Sequence, residues 1–436
     1  MGSEAETELS RWSELTEEER VETFRRMAPR QADSLFLELS SRDELEILLA
    51  LPASERRIWM RLLAPDDAAD VIQHAPEEEH GPLLSLLDDV ARAEVTALLA
   101  YKEDEAGGLM SPRFARLRPE MTVDEAITYL RRQATQVESI SYAYVLDESQ
   151  RLLGVLNFRD LFAAEGGRSV REFMRTDFIY ATEETDQEAV ARLFSSHRLL
   201  AIPVLDAQGR MRGIVTADDI VDVLREEDTE DIQKFGGMEA LDAPYFEIGF
   251  WNMVRKRAGW LAVLFVGEML TASAMGHFES EIERAVVLAL FVPLIISSGG
   301  NSGSQATTLV IRAMAIGELR PRDWWRILFR EAPTGLVLGC ILALIGMTRV
   351  LLWQAAWSSY GEHYLLVALT VGASLIGVVL FGSVAGSMLP LVLRRLGLDP
   401  ASASAPFVAT MVDVTGLVIY FTIASVIMRS VLETRP

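Results

Sequence analysis

Asp413 lies in the stretch FVATMVDVTGLVIYF (407–421), with apolar residues on both sides. Near the middle of a bilayer a carboxylate is costly unless it faces a cavity, a partner or an ion, so function is the first reading of this position. A second polar interruption is VPLIISSGGNSGSQATT (292–308), where Pro293, Gly299, Gly300 and Gly303 stand beside Asn301, Ser302, Ser304 and Gln305. Irregular backbone survives at membrane depth only where it is buried in protein or lines water, and there its carbonyls can coordinate a cation. Close helix packing is the plainer reading, since Gly299 and Gly303 have the GxxxG spacing. Packing alone does not ask for a run of amides and hydroxyls, which favours a broken, pore-lining segment that includes Gly300 and Asn301. Ala401–Pro406 makes a similar break and sets Ala409 one helical turn before Asp413. Glu268, in VLFVGEMLTAS, is a third acid inside an apolar stretch, and it lacks polar neighbours in sequence.

The donors on offer are oxygens. Cys340 is the single cysteine and sits in an apolar run, which predicts a small packed side chain and rules out disulfides and thiolate sites. His74, His80, His197, His277 and His363 show no paired ligand spacing, which argues against zinc. Oxygen ligands suit hard cations, and Mg2+ in particular binds through one or two carboxylates while keeping several waters. One Asp per chain is too few for a dry Ca2+ cage, but two copies of Asp413 at a twofold axis would attract a hydrated divalent ion. No His, Cys or Ser is arranged with a base as a nucleophile requires, so the chain is not expected to be an enzyme.

These residues need helices that cross a bilayer. Five apolar stretches of about 20 residues or more, roughly 257–277, 285–311, 332–353, 364–393 and 404–428, predict five spans. Arg255, Lys256 and Arg257 precede the first span, Arg312, Arg320, Arg322, Arg326 and Arg330 separate the second from the third, and Arg394 and Arg395 follow the fourth. The intervening loops, HFESEIER and WQAAWSSYGEHY, hold one arginine between them. Basic loops stay cytoplasmic, which predicts the N-terminus inside and the C-terminus outside, with Arg429 and Arg435 on the less favoured side.

Charge is divided unevenly along the chain. Residues 1–250 carry 52 Asp and Glu against 27 Lys and Arg, residues 251–436 carry 11 against 14, and the whole is −22. Such an acidic half excludes nucleic acid as a partner; runs of this kind are usually solvated faces, but an excess this large also suits cations. An acidic tail through residue 23 has no basic and apolar signal pattern, so the first domain is expected to stay where it is made. Residues 24–105 read as a helical repeat domain of short amphipathic helices, with Pro52, Pro65 and Pro76 suited to first turns. Then comes a duplication: AYVLDESQRLLGVLNFRDLF (143–162) aligns without gaps on IPVLDAQGRMRGIVTADDIV (202–221). Each copy predicts strand, turn, strand and a helix opened by Asp160 or Asp219, so that 106–169 and 170–224 resemble a pair of CBS domains. An acid-rich connecting helix, 225–253, leads into the membrane part, 254–436.

Four motifs stand in order: YKEDEAGGLMSP (101–112), VPLIISSGGNSGSQATTLVIRA (292–313), GSMLPLVLRRLGLDPA (386–401) and PFVATMVDVTGLVIY (406–420). With them the chain resembles the MgtE magnesium channels over nearly its whole length. The resemblance implies a multidomain membrane protein: a cytosolic α-helical repeat domain and an α/β CBS pair, then a five-helix α-helical transmembrane domain, in a bacterial inner membrane. It implies a homodimer with the pore at its axis, lined by the second and fifth spans. There Asp413, the Ala409 backbone, Asn301 and Gly300 would hold hydrated Mg2+. It also implies closure by cytosolic Mg2+ bridging acidic faces, with Asp66, Asp70, Asp206, Asp218, Glu239 and Asp242 as ligands and the connecting helix as plug. ATP in the CBS cleft, supported by Asp219 or Asp160, belongs to the same expectation. Gln208 and Ala405 depart from the family pattern, which has an acid and an Asn there. A carrier for Mg2+, Co2+ or Mn2+ and a non-transporting magnesium sensor remain as alternatives to a channel.

Overall fold

From Glu17 to Leu98, proline and capping residues cut the described chain into seven helices of 8 to 10 residues: α1 (Glu17–Arg26), α2 (Pro29–Phe36), α3 (Ser41–Ala50), α4 (Ala53–Met60), α5 (Pro65–His74), α6 (Glu77–Leu86) and α7 (Asp89–Leu98). The computed structural model describes Trp12 and residues 15–134, 136–241, 245–246 and 248–429, and it forms two units, Met1–Glu226 and Glu227–Pro436. Thr16 and Glu19 make a reciprocal capping box, and Asp88 accepts the N–H groups of Val90 and Ala91. Pro65 occupies the first turn of α5, as expected, but Pro52 and Pro76 sit one residue ahead of α4 and α6 as their N-caps. Helix α1 begins at Glu17, within the stretch read as an acidic tail, and buries Phe24 in the core with Phe36, Ile47, Leu48 and Ile72.

A short helix, α8 (Ala106–Leu109), leads to two copies of one fold. The first runs β1 (Phe114–Leu117), α9 (Val123–Gln133), β2 (Ser139–Leu146), β3 (Leu152–Asn157) and α10 (Phe158–Ala163). The second runs β4 (Ala181–Thr182), α11 (Gln187–His197), β5 (Ala201–Leu205), β6 (Met211–Thr216) and α12 (Ala217–Phe235). In each the first strand is parallel to the second and the third antiparallel to it. The register is the same, Val145 opposite Gly154 and Val204 opposite Gly213, with an irregularity just after each pair. The two hairpin turns also bond each other: Leu152 N–H donates to Gly209 O at 3.2 Å and Met211 N–H to Gln150 O at 3.0 Å. Gly209 has φ +77°, and Gln150 takes φ 63° at the matching position of the other copy. The connecting helix expected over 225–253 is two things: α12 continues the second copy to Phe235, and the next helix starts at Phe250.

The second unit is built on long helices: α13 (Phe250–His277), a short α14 (Glu279–Arg284), α15 (Val292–Ala315), α16 (Trp324–Trp357), α17 (Tyr364–Arg395) and α18 (Ala405–Ile427). Among the described residues five segments are long and apolar enough to cross a membrane, the second combining a 3-10 turn at Val286–Phe291 with α15. Their buried face includes Val371, Leu375, Val378, Val408, Val412 and Tyr420, the last donating its hydroxyl to Leu288 O at 2.8 Å. Cys340 is exposed on α16, not packed as expected.

Candidate functional site

The run of glycines and hydroxyls does not break the helix that carries it. From Val292 to Ala315, α15 is continuous, with Pro293 in its first turn, where the missing N–H is harmless. Its carbonyls are therefore engaged along the helix, and side chains are what it offers an ion. Gly299 and Gly303 serve packing: a Cβ at Gly382 of α17 would collide with Gly299 O, and one at Gly386 with Gly303 O. The seam is tied by Ser302 and Ser383, whose hydroxyls bond at 2.7 Å, and by Thr307 Oγ1 donating to Gly386 O at 2.7 Å. Gly300, one residue on, faces the other way, and a Cβ there would stand 3.5 Å from Ala409 of α18.

On that other face a cavity of about 330 Å3 opens between α15 and α18. Pro293, Ile296, Ser297, Gly300, Asn301 and Ser304 line it from one side, at one-turn spacing, and Ala409 and Asp413 from the other. The start of α18 is fixed from several directions. Ser404 caps it by accepting the Phe407 N–H, Trp260 Nε1 donates to Ser404 Oγ at 3.2 Å, and Ser304 Oγ donates to Ala405 O at 3.3 Å. All four residues expected at an ion site, Gly300, Asn301, Ala409 and Asp413, thus line one cavity; Ser297 and Ser304 join them, and only Ser304 stood out in the sequence.

In the first unit, carboxylates of α3, α5 and α12 face one another. Glu44 and Asp66 are buried, and Asp66 Oδ1 has no hydrogen-bond partner among the described residues. Burial, then the Asp67, Asp70 and Asp43 carboxylates, pushes Glu44 up to about 9. Burial also lifts Asp66, with Asp67, Asp219 and Glu138 adding to it, and lifts Asp70, with Asp67, Glu103, Asp219 and Glu226 adding. Asp67 rises to about 6 through burial, against the Ala64 backbone and with Asp218 and Asp222. Bare carboxylates crowded this way repel, and a bound cation or proton relieves them.

Asp66, Asp70 and Asp218 therefore belong to one acidic group, and Asp219 joins it. Asp219 Oδ2 also accepts the Thr216 N–H at 2.9 Å and hydroxyl at 2.8 Å, capping α12, so this oxygen is engaged where a nucleotide role was expected. Asp160 lies 3.3 Å from Arg175 Nη2. Asp206 is not in the group: Arg210 Nε at 2.8 Å, Arg212 Nη2 at 3.3 Å and the Gln208 and Arg210 N–H groups surround it. Burial raises its carboxyl, but those donors win and hold it below the ordinary value. Glu239 is exposed in the second unit, its N–H donating to Lys256 O at 3.1 Å, and Asp242 lies outside the described residues. Among the described residues no three His, Cys, Asp or Glu side chains converge as a ready inner-sphere metal site. Sequence reasoning missed Glu44 and Asp67; the clue was an acid at the one-turn spacing of each buried helix face.

A helical domain, a paired strand-strand-helix fold and five membrane-length helices, two of which line a polar cavity, define a polytopic membrane protein with a CBS pair. A family model described as a divalent cation transporter, MgtE, matches residues 292–423, the MgtE intracellular N domain matches 9–104, and the CBS domain matches 106–167 and 170–226. The magnesium transporter MgtE of Thermus thermophilus is 41% identical over 426 residues, 97% of this chain and 93% of the relative. That of Bacillus subtilis is 31% identical over 419 residues, 96% of this chain and 91% of the relative. Among solved structures, the cytosolic domain of the Mg2+ channel MgtE in complex with ATP is 41% identical, with a TM-score of 0.47, covering 50% of this chain and 90% of that one. The chain belongs to the MgtE family of magnesium transporters, and it is not an enzyme.

Proposed function

We propose that the cavity beside Asp413 is the path of Mg2+ through the membrane, completed by a second copy of the chain, and that Mg2+ bound to the acidic group closes it. The observation that carries the first part is that segments more than a hundred residues apart bring Asp413, Asn301 and two serine hydroxyls to one cavity. Mg2+ sheds its waters reluctantly. The Asp413 carboxylate accepts hydrogen bonds from the waters of the hydrated ion, while Asn301, Ser297 and Ser304 take the remaining ones. The second part rests on the buried, unpartnered Asp66 oxygen and the crowded carboxylates around it, which a divalent ion would bridge. The arginine-rich loops support an N-terminus on the cytoplasmic side, where that group would read the internal concentration. ATP at the CBS pair, near Asp160 and Asp219, is part of the same reading.

The test is Mg2+ flux into vesicles containing the full-length chain and a trapped indicator. Asp413→Asn is expected to lower flux more than tenfold with folding and copy number unchanged, because it removes the charge that gathers divalent ions. Flux equal to that of the unaltered chain overturns the assignment. Unitary current steps at fixed voltage support a channel; steady flux without any such steps supports an ion-coupled carrier.

A further inference from the structure

Glu268 is not among the cavity-lining residues, yet it is an acid in the middle of a spanning helix. It lies eleven residues beyond Arg257 and nine before His277 on α13, about 15 Å of helix rise from either polar end. An ionised side chain there is retained for a partner or a path. Glu268 makes no hydrogen bond or ion pair among the described residues, and its side chain is exposed on the chain's own surface. Gly267 brings the backbone of α13 against α18, so close that a Cβ there would stand 2.8 Å from Thr410 Cγ2, less than one turn before Asp413. The Glu268 carboxylate acts electrostatically on Asp413.

Two carboxylates at membrane depth on helices in contact, α13 and α18, repel when both are charged and are favoured together around a divalent cation. We propose that Glu268 is a second carboxylate of the ion path, standing to the side of Asp413 and setting how strongly a hydrated divalent cation is drawn to it. The inference rests on the reading of the cavity as that path. Asp413 contacts the ion's waters; Glu268 acts on the ion's concentration at the site, so its loss weakens capture and leaves the step past Asp413 intact.

The experiment is Mg2+ flux against external Mg2+ in vesicles carrying the full-length chain as Glu268→Gln, Glu268→Asp and Asp413→Asn. In Glu268→Gln the half-saturating concentration is expected to rise about three- to tenfold with the maximal rate within about twofold, and Glu268→Asp to return it toward the original value. An unchanged half-saturation, or a lost maximal rate at unchanged half-saturation, overturns the inference. Should Glu268→Gln not fold, Glu268→Cys in a Cys340→Ala background carries the same test. A thiol reagent that adds a sulfonate should lower the half-saturating concentration and one that adds a trimethylammonium should raise it, and equal effects of the two overturn the inference. Asp413→Asn separates the two failures: if it conducts normally the path itself is misassigned, and if it does not while Glu268→Gln behaves as the original chain, Glu268 alone is.

Discussion

At the residue scale, neighbouring glycines of α15 do opposite things. Gly299 and Gly303 let the backbone of α17 approach, while Gly300 leaves room at the cavity. Within a membrane, packing takes over the role that exclusion of water plays elsewhere, so lost backbone contact cannot be recovered by a larger side chain. Gly386→Val is therefore expected to cost about 1–3 kcal/mol, since its side chain would strike Gly303 O and Thr307 Oγ1. The check is the thermal midpoint of the detergent-purified chain, which should fall by several degrees. Gly276→Ala, on α13 with nothing within 4 Å of its added Cβ, should leave the midpoint in place.

At the scale of elements, α3, α5 and α12 set their carboxylates against one another and against burial. A carboxyl raised above its unfolded value holds its proton longer in the folded state, so the contribution is favourable below that value and is lost as pH rises through the folded one. Glu44 near 9, Asp219 near 7 and Asp67 near 6 place the loss between about pH 5 and 9. The thermal midpoint of the first unit's transition, followed in the full chain without divalent ions, is expected to fall across that range. Millimolar Mg2+ should reduce the slope, and Glu44→Gln should flatten it at the alkaline end. A midpoint that rises from pH 6 to pH 9 would contradict the arrangement of these groups.

At the scale of the whole molecule, α12 begins in the CBS pair and ends in the second unit, so it is the covalent route by which cation binding could reach the membrane helices. Gating through it needs only modest differences per ion: a few sites, each worth about 1 to 2 kcal/mol, together approach the roughly 5.5 kcal/mol that turns 1:99 into 99:1. Millimolar Mg2+ is expected to protect residues 220–249 from limited proteolysis. Neutralising Asp218, Glu239 and Asp242 together should abolish the protection and leave flux high at high internal Mg2+. Equal cleavage with and without Mg2+ in the unaltered chain would mean that the acidic half is not the gate.

The membrane spans, the duplicated strand-strand-helix fold and the pairing of Asp413 with Ala409 were legible along the chain, because each depends on periodicity or on a costly residue type within a single segment. The continuity of α15 was not: sequence shows that glycines and a proline are present, but whether they break a helix or receive another depends on what packs against them, here Gly382 and Gly386 of α17. The acidic group was half legible. Asp66, Asp70 and Asp218 were named through resemblance, whereas Glu44 and Asp67 join them, and Asp206 is held by arginines, through helix packing and turn geometry that bring together or separate residues far apart in the chain.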